Sequence, residues 1–599
     1  MTYNLSPHSF HIPVMGLAFT IDSPIKVAAY GINSAISIIE DNLIEMMRKH
    51  YYQQNEEEYI PIEKHEPNYR VRRITDYLNL VQKNVHQKLE DLKSSAFETG
   101  SEIVKYFEML PDESRLKEKY YQFLQAHGEA KAELESFLRK HVHPGAIEVN
   151  IMTKVDKNNK DKAGEIIPDG SDALGALKAY AESDLDNSAV IFSAGMNPRL
   201  YNYLENFRDF DATAWGEFKK KVIIKVSDYR SALIQGKYLA KKGIWVSEFR
   251  IESGLNCGGH AFATQGLLLG PILEEFRIKK EELRKELFSL YNPAIIARGE
   301  KGFDEPHPVN ITVQGGIGNA EEQQLLMGYY NVSGTGWGTP FLLCPEATTV
   351  DAKTLELLSK SEEKDVVLSK ASPLGVRFNY LKNTTADEER QQRIKKGKPG
   401  SPCTEKYLIS NTEFTKEPIC TASRKYQKLK LEQLEKADLP KAEYDLQVDD
   451  LLSKECLCIG LSNSASLNYN VPVVEKLDAV TICPGPNIVN FSKVASLQEM
   501  TDHIYGRGEL PQKSGRPHMF VREMELYVDY IKEEIRNTFN PAPRDIKGWM
   551  SFCDNLLEGV SHYKVLLEKE LVKKKDAFEQ GLTKMEQTVM QVKSSLANR

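Results

Sequence analysis

The sequence lacks both an apolar run long enough to cross a membrane and an excess of charge of one sign. Its 599 residues carry 78 Lys and Arg against 85 Asp and Glu, a net charge of −7. This balance gives no electrostatic case for binding nucleic acid or an anionic membrane. Residues 1–13 contain no basic segment followed by an apolar one, so we expect no signal peptide. We therefore expect a soluble, cytoplasmic protein that binds neither nucleic acid nor a membrane.

Cysteine is also scarce, with eight residues in the chain. Without an export signal they are expected to be thiols or ligands rather than disulfides. Cys403, Cys420, Cys456, Cys458 and Cys483 lie in one region, but their spacing matches neither paired CxxC motifs nor a ferredoxin. Ordinary thiols are therefore the default prediction, with no metal, and zinc or an iron–sulfur cluster is the alternative. The P-loop, serine-hydrolase elbow, zincin and Rossmann fingerprints are absent as well.

Two glycine-rich turns are the most informative motifs that are present. They are Val313-Gln-Gly-Gly-Ile-Gly-Asn319 and Gly334-Thr-Gly-Trp-Gly-Thr-Pro-Phe341, and each follows a short β-branched, apolar run. A glycine turn that leads into a helix points several N–H groups at one place, which suits a phosphate. Two such turns after successive strands are typical of the last two strands of a TIM barrel. The alternative is a pair of tight turns that bind nothing.

The spacing of apolar, β-rich runs predicts an α/β fold, a (β/α)8 TIM barrel. Helical stretches at 24–30, 198–207, 229–241 and 320–329 separate several of the runs. The eight predicted strands are 11–19, 34–39, 147–152, 189–193, 221–226, 244–248, 310–313 and 331–334.

Segments outside the barrel predict three further regions. The barrel is assigned to residues 1–40 and 145–360. Residues 41–144 are a charged, helical insertion after strand two, a lid or an interface. Residues 361–514 form a cysteine-containing α+β extension that mixes short strands with turns. Residues 515–599 form a helical region whose long amphipathic run from Ile546 suits a packed helix or a homodimer contact.

Three polar positions near predicted strand ends are candidates for chemistry. His260, in Cys257-Gly-Gly-His260, follows strand six and has the titration range suited to proton transfer. Lys225 lies in an otherwise apolar strand that is expected to be buried. A buried lysine needs a partner, which is either a cofactor atom or a buried carboxylate. Asn150 ends strand three, where an asparagine is usually a turn or cap residue.

Together these motifs resemble the nitronate monooxygenase family, FMN-dependent TIM barrels formerly called 2-nitropropane dioxygenases. Pro13-Val-Met-Gly16 is similar to the segment under the flavin, and Gly258-Gly-His260 is similar to the family's Gly-Gly-His. The resemblance implies FMN as cofactor and His260 as the catalytic base. The flavin-binding residues it implies are Met15, Gly16, Asn150, Lys225, Gly258, Gly259, Gly315, Gly316, Ile317, Gly318, Gly338 and Thr339.

The resemblance covers residues 10–40 and 145–380 and implies a reaction class. The first expectation is oxidation of an alkyl nitronate by oxygen. The enoyl reductase component of polyunsaturated fatty acid synthases is similar too, so reduction of an enoyl thioester with NAD(P)H is the alternative. A non-catalytic barrel that acts as a binding or assembly module is a second alternative, and an iron–sulfur flavoprotein is a third. This chain departs from the family with Asn256-Cys257 before Gly-Gly-His and in its long additions.

Overall fold

A closed barrel of eight parallel strands forms the centre of the protein in the computed structural model. The structure describes residues 7–160, 163–193, 195–258, 265–472, 474, 476–511 and 515–597. Neighbours in the barrel are neighbours in sequence, and β8 closes the ring by pairing with β1. The barrel strands are β1 (Phe10–Ile12), β2 (Asn33–Ser37), β3 (Ile147–Ile151), β4 (Ser188–Phe192), β5 (Lys220–Val226), β6 (Glu248–Glu252), β7 (Asn310–Gln314) and β8 (Gly334–Gly336). The predicted α/β barrel is confirmed.

Helices surround the barrel and build the additions to it. The α-helices of the described residues are α1 (Ser23–Val27), α2 (Asp41–Gln54), α3 (Tyr69–Ser94), α4 (Glu102–Met109), α5 (Arg115–Gln125), α6 (Gly128–Lys140), α7 (Asp172–Glu182), α8 (Pro198–Tyr203), α9 (Tyr229–Ala240), α10 (Leu269–Ala297), α11 (Ala320–Gly328), α12 (Ala352–Lys360), α13 (Thr385–Lys395), α14 (Arg424–Glu435), α15 (Lys441–Ser453), α16 (Leu457–Gly460), α17 (Asn463–Tyr469), α18 (Leu497–Tyr505), α19 (Met519–Asn537), α20 (Pro543–Glu568) and α21 (Lys575–Ala597). Short 3₁₀ helices are Ala28–Tyr30, Leu204–Asn206, Arg208–Phe210, Thr339–Leu343, Glu363–Asp365 and Pro486–Asn490. Three antiparallel hairpins pair Asn158–Lys160 with Ile166–Ser171, Ala212–Ala214 with Glu217–Phe218, and Val366–Ser369 with Phe378–Leu381.

Short polar side chains fix the start of the helices that follow the strands. Asn197, Asp228, Asn319 and Asp351 each cap a helix by accepting a backbone N–H three residues ahead, at 2.7–3.1 Å. Such a cap satisfies one of the free N–H groups of the first turn and is worth about 1 kcal/mol. Each helix therefore begins a few residues after its strand, and the strand ends stay on one face of the barrel.

The insertion after β2 supplies one helix of the barrel's outer layer. Helix α3 packs against both α1 and α7, in the position of the helix that would follow β2. Helices α4 to α6 lie beyond it around a separate apolar core that includes Phe107, Tyr120 and Leu138. The predicted role of this insertion as a lid or an interface stays a prediction.

The C-terminal third shares one continuous apolar core with the barrel. That core includes Met15 and Ile251 of the barrel together with Leu461, Phe520 and Val589. The run predicted as one amphipathic stretch from Ile546 is two helices, α20 and α21, which pack on each other and on α19. The prediction of a single long helix is wrong because the chain reverses at residues 569–574, where Glu570 has a φ of 58°. The apolar face of α21 is covered within this chain.

Three strands differ most from their predicted bounds. Strand β1 is short because Pro13, which has no N–H to donate, ends it. Strand β8 begins at Gly334, where the predicted run ends. Strand β6 is Glu248–Glu252 instead of 244–248, so the apolar Ile244-Trp-Val run precedes the strand and is buried outside it. The extension at 361–510 also has more helix than the predicted mixture of short strands, with one hairpin and α13 to α18 among its described residues.

A buried ion pair explains why such a polar segment forms β6. The Arg250 guanidinium donates to both carboxylate oxygens of Glu148 at 2.8 and 2.9 Å and to Glu248 at 2.8 Å. Arg250 is 1% exposed and Glu148 is 2% exposed. Two parallel N–H···O bonds between buried, opposite charges satisfy groups that would otherwise be costly to bury. The barrel interior is therefore held partly by charge pairing across β3 and β6.

Buried histidines make the stability of the fold sensitive to acid. Burial lowers the pKa of His8 and His11 from 6.5 to about 3, and that of His307 and His518 from 6.5 to about 4. In the unfolded chain these groups take up a proton below about pH 6.5, whereas the folded chain excludes it. Their contribution to stability is therefore full above pH 6.5 and is lost as the pH falls.

Two buried carboxyl groups act in the opposite direction. Burial raises the pKa of Glu40 and of Glu523 from 4.5 to about 7, so their contribution is present at low pH and is lost as the pH rises from 4.5 to 7. The four histidines outweigh the two carboxyls by two protons. The free energy of unfolding therefore changes by at most about 2.7 kcal/mol per pH unit. We expect the apparent Tm to fall between pH 6.5 and pH 5, and thermal denaturation at half-unit steps measures it. A Tm that rises over this interval would contradict the balance.

No helix of the described residues is long and apolar enough to cross a membrane.

Candidate active site

A cavity lies over the carboxyl ends of the barrel strands. About 730 Å³ of space there is free of protein atoms, part of it continuous with solvent. This face of a parallel barrel is where ligands bind. The lining residues from the barrel are Val14, Gly16, Leu17, Ser37, Asn150, Met152, Lys154, Ser193, Lys225, Glu252 and Gly258. Four of the predicted residues, Gly16, Asn150, Lys225 and Gly258, therefore share one cavity.

Asn150 and Lys225 are two of the polar residues that line this cavity. Asn150 is 5% exposed, and its Oδ1 has no hydrogen-bond partner in the described part of the chain. Lys225 Nζ lies 3.0 Å from Glu252 Oε1, so the buried carboxylate expected as one alternative is its partner. The same oxygen also accepts from the side-chain amides of Asn256 at 2.6 Å and Gln314 at 2.9 Å. The pair thus holds the lysine ammonium at the cavity wall, with N–H groups left for a ligand.

The loops after β1 and β6 meet at the edge of the cavity. Gly258 has a φ of +71°, and a Cβ there would lie 2.7 Å from Gly16 N and 2.8 Å from the Cα of Met15. Only glycine fits this close approach of two backbones. Met15 is buried next to Gly338, where a Cβ would lie 3.4 Å from its sulfur.

The two glycine-rich turns lie beside this cavity and do not line it. All residues from 315 to 318 and from 338 to 339 are buried. The backbone N–H groups of Gly316, Ile317, Gly338 and Thr339 donate no hydrogen bond to any residue that the structure describes. Buried N–H groups without an acceptor are rare, so these four are available to an anion. The N–H of Gly318 is already taken, since it donates to Glu322 Oε2 at 2.8 Å.

Side chains from the C-terminal third complete the surroundings of the turns. Arg516 donates to the Gly316 carbonyl at 2.9 Å and pairs with Glu322 at 2.7 Å. Its Nε is buried without a partner in the described part of the chain. Asn487 Nδ2 donates to the Ile317 carbonyl at 3.2 Å, and Gly485 N–H donates to Thr339 Oγ1 at 3.0 Å. One segment, 485–487, therefore contacts both turns.

The extension also forms the roof of the cavity. Phe378, Leu461 and Cys483 line it. The Leu461 carbonyl accepts from Ala18 N–H at 2.9 Å, and the Cys483 carbonyl accepts from Gly258 N–H at 3.0 Å. Burial raises the pKa of the Cys483 thiol to about 12, so it is not a thiolate near neutral pH. The extension thus covers part of the cavity without supplying a thiolate nucleophile.

Sequence reasoning missed Glu252, Arg516 and the residues of the roof. A carboxylate at the carboxyl end of a barrel strand could have identified Glu252, because that position faces the ligand. No local sequence motif marks Arg516 or the roof residues, which lie more than a hundred positions after Glu252 in the chain. Gly259 and His260 lie outside the described residues, so the predicted catalytic role of His260 stays a prediction.

Comparison with known proteins adds two similar structures. No family model matches the chain, and no curated protein matches it. The enoyl reductase domain of MlnA from the macrolactin biosynthesis cluster of Bacillus amyloliquefaciens has 13% identity and a TM-score of 0.33, over 63% of this chain and 84% of that one. Nitroalkane oxidase from Streptomyces ansochromogenes has 9% identity and a TM-score of 0.34, over 84% and 95%. These are the kinds of protein that the sequence resembles, but at such scores the likeness decides neither fold nor reaction.

Proposed function

We propose that the cavity holds FMN and that the protein is an FMN-dependent oxidoreductase acting on an alkyl nitronate with oxygen. The observation that carries the proposal is a cavity over the strand ends, beside which two successive turns hold N–H groups with no acceptor among the described residues. The cavity suits a flat polar ring, and the turns suit a phosphate.

The donors and acceptors that are present fit the two ends of FMN. The flavin ring carries an imide N–H and carbonyl oxygens, which match the free Oδ1 of Asn150 and the ammonium of Lys225. The N–H groups of Gly316, Ile317, Gly338 and Thr339 would hold the phosphate, aided by the guanidinium of Arg516. Gly16 and Gly258 let the backbone approach the ring closely.

Bound FMN would supply the electron-transfer chemistry, and the protein would supply position and charge. Glu252 fixes Lys225 at the wall, so the ammonium can attract an anionic nitronate. Phe378 and Leu461 keep water from the ring face. His260 is proposed to orient the nitronate or to take the α proton of the neutral nitroalkane from which the nitronate forms.

The first experiment is an anaerobic absorption spectrum of the purified protein before and after NADH and NADPH, followed by an aerobic assay for nitrite released from an alkyl nitronate. Flavin bands with nitrite release support the proposal. Bleaching by NAD(P)H with reoxidation by an enoyl thioester, and no nitrite, would replace it with the reductase reaction. A protein that remains folded but binds no flavin after incubation with FMN would favour the alternative of a non-catalytic binding or assembly module.

Asn150→Ala should weaken FMN binding about tenfold, since a hydrogen bond inside a buried site is worth about 1–1.5 kcal/mol. Isothermal titration of the apoprotein with FMN measures the change. Asn33→Ala is the matched control, because Asn33 lies at the opposite end of the neighbouring strand β2. Equal affinities for the two variants would remove Asn150 from the site.

A further inference from the structure

Four of the eight cysteines meet at one small cavity in the extension. Cys403, Cys420, Cys456 and Cys458 line a space of about 270 Å³ that is free of protein atoms and partly open to solvent. We call it the four-cysteine cavity. Cys420 and Cys458 are buried, whereas Cys403 and Cys456 are partly exposed. The chain is poor in cysteine, so the meeting of half of its thiols is not explained by abundance.

Backbone contacts bring three separate segments to the four-cysteine cavity. Ser401 pairs with Ser423, with Ser401 N–H donating to the Ala422 carbonyl at 2.8 Å and Arg424 N–H donating to Ser401 at 3.0 Å. Gly400 permits this pairing, because a Cβ there would lie 2.7 Å from Arg424 N. The third segment is fixed by Glu455 N–H, which donates to the Ala371 carbonyl at 3.0 Å.

The four cysteines form two pairs. Cys403 lies beside Cys420, and Cys456 lies beside Cys458. Cysteine binds metal as the thiolate.

The described side chains do not form a site for one metal ion. A zinc ion holds all of its sulfurs at about 2.3 Å from one centre. Among the described residues, no three His, Cys, Asp or Glu side chains are placed to do so. In an iron–sulfur cluster the thiolates are divided among several irons, so the sulfurs surround a larger inorganic core. We propose that the four-cysteine cavity holds an iron–sulfur cluster with the four thiolates as its ligands.

The proposed cluster site lies next to the candidate active site. Helix α16 carries Cys458 and is followed directly by Leu461, which lines the cavity above the barrel. The two sites therefore share one short segment. The proposal does not depend on FMN, because its ligands and its test are separate from those of the flavin.

Anaerobic reconstitution of the purified chain with ferrous iron and sulfide tests the cluster. We expect bound iron and acid-labile sulfide in equal amounts, at two or four per chain, and an electron paramagnetic resonance signal after dithionite reduction. FMN content is measured separately on the same sample. One zinc per chain, no retained iron, or disulfides among these cysteines in the purified protein would each overturn the proposal.

Single substitutions separate ligands from other thiols. Cys420→Ser and Cys456→Ser should each lose most of the iron, whereas Cys553→Ser, a buried thiol in α20, should retain it. Thermal denaturation and the FMN content show whether each variant folds. Equal iron in Cys456→Ser and Cys553→Ser, with both folded, would refute the ligand assignment.

Discussion

Gly258→Ala should lower the FMN content of the purified protein at least about tenfold, a loss of about 1.4 kcal/mol or more in binding. The added Cβ would lie 2.7–3.0 Å from backbone atoms of Val14, Met15 and Gly16. Backbone cannot rotate away as a long side chain can, so one of the two loops must shift. Either shift changes the cavity wall where the ring is proposed to lie.

Gly375→Ala is the matched control for this substitution. Gly375 has a φ of +72°, against +71° for Gly258, and a Cβ there meets no atom within 4 Å. Both variants therefore carry the same left-handed strain, about 1–2 kcal/mol, but only Gly258→Ala adds the clash. The ratio of flavin to protein absorbance measures the difference. Equal ratios in two folded variants would show that the loops after β1 and β6 do not contact the flavin.

The barrel could be predicted because its signals are local. Six of the eight predicted strands overlap an observed strand by more than one residue, and β8 overlaps its prediction at Gly334 alone. Strand β6 overlaps its prediction only at Glu248, because apolar periodicity favours Ile244-Trp-Val over Glu-Phe-Arg-Ile-Glu. A sequence shows that Arg250 is charged, but it does not show that Glu148 lies opposite in the barrel. Charge pairing across the barrel interior therefore stabilises this segment as strand β6.

The site could be predicted only on its barrel side. Asn150, Lys225 and Gly258 follow strand ends, and parallel strands bring such positions to one face. The roof and Arg516 could not be predicted, since their place depends on how the C-terminal third packs on the barrel. The same holds for the four-cysteine cavity. Cys420 lies 17 positions after Cys403, and Cys456 lies 36 positions after Cys420. These separations match no spacing motif, so the sequence does not show that the three segments come together.

Arg250→Met should lower the free energy of unfolding by about 3–5 kcal/mol, the usual cost of removing one partner from a buried ion pair. The substitution leaves Glu148 and Glu248 inside the barrel without their guanidinium. Methionine has a similar length, so lost charge rather than a large cavity accounts for the effect. Urea or thermal denaturation measures it.

Two further variants identify the cause of that loss. Arg208→Met removes an arginine that is paired with Asp211 and Glu300 but whose side chain is 64% exposed, so the free energy of unfolding should change far less than in Arg250→Met. Arg250→Met combined with Glu148→Gln should recover part of the stability, because the double variant leaves no unpaired charge at Glu148. A double variant less stable than Arg250→Met alone would show that packing, not charge, governs this layer of the barrel. Strand β6 carries both Arg250 and Glu252. The position of Glu252 at the cavity would then depend on side-chain packing inside the barrel.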